Sequence, residues 1–148
     1  MEVKAFNRER IETFLKSNEL TFDLDPDGNI SFGFPEDEKT GCALRIWLMV
    51  AGENKDVYDI RIYTDRKIAK EDWSKAMIAC NEWNDTKRWP KAYFHVSDPD
   101  SDAEGRVVCE GDIDLEAGIH QELFDDFTLT IITRAQAFWE WMHTEKGF

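Results

Sequence analysis

The sequence predicts an α+β fold, a mainly antiparallel sheet packed by helices in the order α-β-β-β-β-α-β-β-α. Three observations carry this reading. Six runs alternate apolar and polar residues or are apolar throughout, as strands do. Most of them are joined by short turn-forming stretches such as "DPDGN" and "GENKD", which connect antiparallel neighbours. Segments at the start, the middle and the end repeat apolar residues at spacings of three and four. Such a sheet can carry helices on one side and leave the other partly open. An apolar outer face would then be a candidate binding surface.

The first helix spans about Arg8 to Ser17. Asn7 is placed to cap it, with Phe6 and Ile11 spaced as a staple across the cap. Leu20, Phe22 and Leu24 alternate, as do Ile30, Phe32 and Phe34, and the turn between them makes a hairpin. "CALRIWLMVAG" puts Leu44, Ile46, Leu48 and Val50 on one face and Trp47 and Met49 on the other, so it reads as a central strand. In "VYDIRIYT", Tyr58, Ile60 and Ile62 face inward. A helix follows from near Lys70 or Glu71 to about Lys87, ended by Pro90. Ala92, Phe94 and Val96 alternate in the next strand, and "RVVCEGDIDL" is the last, with an irregularity expected at Gly111. The final helix runs from about His120 to Thr144, with Phe124, Phe127, Ile131, Ala135, Phe138 and Met142 on one face. The connections are short and no repeat occurs, so residues 1–148 read as one domain.

A chain of 148 residues can build one sizeable core, and 42% apolar residues with six Trp and ten Phe supply it. The net charge of -13 disfavours nucleic acid and anionic membranes. It would attract a basic protein or peptide, or serve solubility alone. Cys42, Cys80 and Cys109 are odd in number and widely spaced, which fits small buried hydrophobes in a reducing cytoplasm rather than a metal site. "MEVKAFNRER" lacks a signal-like apolar run, and no stretch approaches the length of a membrane span.

"CNEWN", residues 80 to 84, sets two amides beside a tryptophan inside a packing helix. At about 100° per residue, Trp73, Met77, Cys80 and Asn84 share a face, with Asn81 at its edge. A buried amide must be hydrogen-bonded. Asn84 is therefore expected either to tie the helix end to the next loop or strand, or to contact a ligand. An amide is no tunable acid or base, which argues against catalysis.

The "CNEWN" helix, the strand "KAYFHV", the order of elements and the aromatic last helix "AQAFWEWM" together resemble the YbjN-like family of bacterial proteins, over nearly the whole chain. The resemblance implies a fold like that of type III secretion chaperones, with helices on one side of an antiparallel sheet. It also implies a role as a sensory transduction regulator without agreed catalytic residues, in a bacterial protein. Asn81 and Asn84 match the asparagines characteristic of that family.

The acidic turns invite a calcium reading. Asp23, Asp25, Asp27, Gly28 and Ile30 match an EF-hand loop, but Phe34 stands where the bidentate Glu belongs and strands replace the helices. That turn at 23–29, and the one at 98–104 with Asp98, Asp100, Asp102 and Glu104, read as solvated turns first and weak cation sites second. His95, His120 and His143 form no ligand or triad pattern, and Gly28, Gly33 and Gly41 form no phosphate loop. With 31 carboxylates, no acid/base pair can be singled out.

One helix face cannot hold Phe138, Trp139, Trp141 and Met142 together. Core packing on several sides, a homodimer contact and a heterologous partner all satisfy that pattern. The chain thus reads as a non-enzymatic, chaperone-like regulatory domain that binds a protein or peptide, basic if charge steers it, without cofactor, metal or nucleic acid. The partner-binding candidates are Trp47, Asn81, Trp83, Asn84, Trp89, Trp139 and Trp141. The alternative is a small-ligand sensor or weak enzyme, with a pocket between sheet and last helix that includes Asn84 and Tyr93.

Overall fold

The computed structural model describes residues 2–148. Helix α1 (Arg8–Ser17) precedes β1 (Asp23–Leu24), β2 (Ile30–Phe34), β3 (Leu44–Ala51), β4 (Val57–Thr64) and β5 (Ile68–Ala69). A 3-10 turn (Lys70–Asp72) leads into α2 (Trp73–Thr86), then β6 (Lys91–His95), β7 (Glu104–Asp114) and α3 (Gln121–Thr144). All strand pairings are antiparallel. They run β1-β2-β3-β4-β7, with β6 and the short β5 each also paired to β7. The antiparallel α+β architecture is the one expected from the alternating runs and short turns.

The strand period decides the layers. Ile30 and Phe32 of β2, Leu44, Ile46 and Leu48 of β3, Tyr58, Ile60 and Ile62 of β4, and Val107 and Cys109 of β7 all turn inward and are buried. Helix α3 lies across β4 and β7, α1 packs on β3 and α3, and α2 runs along β6. The helices therefore cover one face of the sheet. Asn7 caps α1 as its residue type predicts, its side chain accepting from the Glu9 amide at 2.9 Å. His120 does the same for α3, with Nδ1 accepting from the Leu123 amide at 3.1 Å. Buried between sheet and helix, the Tyr58 hydroxyl meets Thr128 Oγ1 at 2.7 Å, while Thr128 donates to the Phe124 carbonyl. A core hydroxyl pair is thereby satisfied, as burial demands.

Four expectations are corrected. Strand β5 was not foreseen, because two residues carry no readable period. Strand β1 is only Asp23–Leu24, and Phe22 and Leu24 are exposed, since this edge has nothing beyond it to bury them. Gly111 is no bulge: it stays in register opposite Ile60, and a Cβ there would meet Ile131 Cδ1 at 2.5 Å. The glycine lets α3 approach the sheet. On α2 the buried stripe is Ala76, Ala79, Cys80 and Trp83, while Met77 is exposed. Trp73 sits at the margin of the core: its indole donates to the Ile68 carbonyl at 3.0 Å and packs on Phe94, so it does not mark the buried stripe.

Candidate functional site

The two asparagines of "CNEWN" divide. Asn81 is exposed. Asn84 donates to the Ala92 carbonyl at 2.8 Å and accepts from the Ala92 amide at 3.0 Å. Among the described residues, strand β6 pairs only with β7, so its other edge presents unpaired peptide groups. The Asn84 side chain, itself an amide, satisfies that edge as a neighbouring strand would. One residue earlier, the Trp83 indole donates to the Pro90 carbonyl at 3.1 Å. The tie between helix end and following strand is therefore the role Asn84 plays. Its expected burial is corrected: the residue is exposed, because the helix turns Trp83 rather than Asn84 inward.

The tryptophans separate likewise. Trp83 and Trp139 are 4% and 1% exposed, so neither offers a surface to a partner, and their nomination as contact residues is corrected. Trp83 packs edge-on against Phe138 at 5.1 Å, and Phe138 against Trp139 at 5.5 Å. Trp141 is half-buried, 5.5 Å from Trp83, with Lys146 over its ring. Core packing on several sides accounts for most of the aromatic flank of α3. Trp89 is 46% exposed and lines a cleft of about 310 Å³ with Lys87, Arg88 and Arg134. Trp47 stands apart from all of these, half-buried on the sheet face that carries no helix.

That open face is built by the outward positions of the central strands. One cross-strand row reads Ser31, Trp47, Arg61, Glu110, Lys91, and the next reads Met49, Asp59, Asp112. Tyr63 lies opposite Arg45, Tyr93 opposite Val108, and His95 opposite Arg106. A shallow concavity of about 430 Å³ is lined by Asp25, Asn29, Trp47, Met49, Arg61, Tyr63 and Arg106. Beside it, Arg61 Nε donates to Asp59 Oδ2 at 3.0 Å and to Glu110 Oε2 at 2.9 Å, and Lys91 reaches Glu110 Oε1 at 3.2 Å. Burial, reinforced by the adjacent Glu110, raises the Asp59 carboxyl above the usual range. Burial works the same way on Glu110, but the neighbouring Asp59, Arg61 and Lys91 outweigh it and hold that group low. Sequence reasoning missed these groups. Their only signal was outward position on two strands that pair non-locally.

Among the described residues, carboxylate oxygens close enough to share a cation occur in two trios, Asp59, Glu110 and Asp112, and Asp56, Asp114 and Glu116. The acidic turns spend their carboxylates internally. Asp25 Oδ1 accepts from the Asp27 and Asn29 amides and Oδ2 from the Asn29 side chain. Asp98 accepts from the Asp100 amide and the Ser101 hydroxyl. Both are turns held by side-chain capping. The thiols are buried and free, and burial pushes Cys42 and Cys80 up to about 11, which keeps them protonated and unreactive. Among the described residues no helix is long and apolar enough to cross a membrane.

A family model described as "Putative bacterial sensory transduction regulator", YbjN, matches residues 7–144. The chain belongs to the YbjN family. Its matched span runs from the α1 cap to the last residue of α3, so every element described above lies inside it. The crystal structure of YbjN from E. coli, titled a putative transcription regulator, is similar with a TM-score of 0.73 at 10% identity, covering 98% of this chain and 96% of that one. At that identity the likeness shows the fold, an antiparallel sheet packed by helices, and nothing finer. No curated protein matches the sequence.

Proposed function

We propose that this YbjN-family chain is a non-enzymatic regulatory module that binds a protein segment on the open face of its sheet. The observation that carries the reading is the one-sided layering. Three helices cover one face, while Trp47, Met49, Tyr63 and Tyr93 stand half-buried on the other. Half-exposed aromatics and Met are the residue types enriched at interface centres. The occupant that fits is a segment with apolar anchors for Trp47 and Tyr63 and basic flanks drawn in by the net charge of -13. The E. coli relative is named "a putative transcription regulator", and regulation through a bound protein agrees with a surface that repels nucleic acid. Three unpaired buried thiols favour action in a reducing cytoplasm.

The ligand-sensor alternative is less well supported. Between sheet and α3, Ile131 lies so near Gly111 that not even a methyl group fits. The test is capture of partners from the source cell lysate by the wild type, a Trp47→Ala/Tyr93→Ala variant and a Trp89→Ala variant. The proposal expects a partner kept by Trp89→Ala and lost by the folded double variant. A partner kept by the double variant and lost by Trp89→Ala would move the surface to the cleft beside α3.

A further inference from the structure

We infer that Asp59, Glu110 and Asp112 form a divalent-cation site on the open face of the sheet. Asp59 and Asp112 are direct cross-strand partners on β4 and β7, and Glu110 is the next outward residue along β7. One oxygen from each of the three carboxylates lies within 4.8 Å of the others. Like charges set directly opposite one another destabilise a sheet unless positive charge stands between them.

The protein's own cations meet only part of that demand. Arg61 takes Asp59 Oδ2 and Glu110 Oε2, and Lys91 takes Glu110 Oε1. Asp59 Oδ1 is buried and, among the described residues, reached by no donor, in a side chain only 5% exposed. Asp112 carries no ion pair among the described residues. A buried acceptor left unpaired is costly, and more so when it belongs to a charged group. A cation bound between Asp59 and Asp112 removes both defects at once. The donors are all carboxylate oxygens, which selects hard ions such as Mg²⁺, Ca²⁺ or Mn²⁺ over zinc or copper. Asp112 is exposed, so the ion has a path in and keeps water on its outer side. Arg61 would act as an outer partner, its guanidinium fixing the two buried carboxylates in place. The other trio has no such orphaned oxygen: Asp114 and Glu116 are exposed, and Asp114 Oδ1 accepts from the Glu116 amide.

The test is titration of the full chain with Mn²⁺ alone, read by water-proton relaxation at about pH 8, where protons compete least for the ligands. Mg²⁺ and Ca²⁺ follow as competitors. The inference expects one site in the wild type. Asp112→Asn, an exposed substitution that leaves the core intact, should weaken it at least about tenfold, since loss of even an outer partner costs about 10- to 100-fold. Glu116→Gln should bind as the wild type does. Absence of saturable Mn²⁺ binding in the wild type overturns the inference, as does equal binding by Asp112→Asn. In the first case a proton shared between Asp59 and Glu110 satisfies the orphaned oxygen, and Asp59→Asn should then be as stable as the wild type.

Discussion

Asn84 is a side chain used as a piece of backbone. Its two hydrogen bonds to Ala92 close the free edge of β6, and the alternative partner for those peptide groups is water or another chain. Asn84→Ala should therefore cost about 1–3 kcal/mol, measured by urea denaturation, with the transition remaining two-state. Tyr58→Phe removes one buried hydrogen bond but leaves Thr128 bonded to Phe124, so its cost should be smaller, about 0.5–1.5 kcal/mol. Gly111→Ala must displace Ile131 and should cost about 1–3 kcal/mol through overpacking, partly recovered by Ile131→Val. At this scale the sequence was half legible. An amide near a helix end announces a hydrogen bond, and the following strand was the natural partner. Trp73 does not set the helix phase; the buried stripe is marked by Ala76 and Ala79, whose small size gives them little weight in a hydrophobic pattern.

Between elements, the seam of α2 and α3 is an aromatic contact. Trp83 meets Phe138 edge-on at 5.1 Å, and Trp141 closes over both. A double-mutant cycle on Trp83→Leu and Phe138→Leu should show a coupling of about 0.5–1.5 kcal/mol beyond lost area. The turns respond to pH instead. Backbone and side-chain hydrogen bonds hold Asp25, Asp37 and Asp98 below the ordinary 3.8. A depressed folded value means stabilisation that is present above the unfolded pKa and lost as pH falls through the folded one. The urea midpoint should thus drop as pH is lowered below about 4, and Asp25→Asn/Asp98→Asn should flatten that drop. The hairpin turn was legible because its chemistry is local: Asp25, Gly28 and Asn29 make it without help. Strand β5 and the true end of β1 were not, because they exist only through pairing with distant residues.

For the whole molecule, the layering follows from alternation on β3 and β4, which the sequence displays openly, and so the existence of an open face was foreseeable. Its occupants were not. Arg61, Glu110 and Asp59 meet through the pairing of β4 with β7, which residue spacing does not encode. Charge has a further consequence at this scale. A chain of net charge -13 that recruits a basic segment should lose affinity as salt rises, and titration across ionic strengths would measure that slope. In-cell photo-crosslinking probes whether the open face holds a partner. A photoreactive residue replaces Met49 on the open face in one variant and Leu129, exposed on α3, in another. Binding on the open face gives a discrete protein adduct from position 49 and none from position 129. Adducts from 129 alone would contradict it and move the functional surface to the helical side.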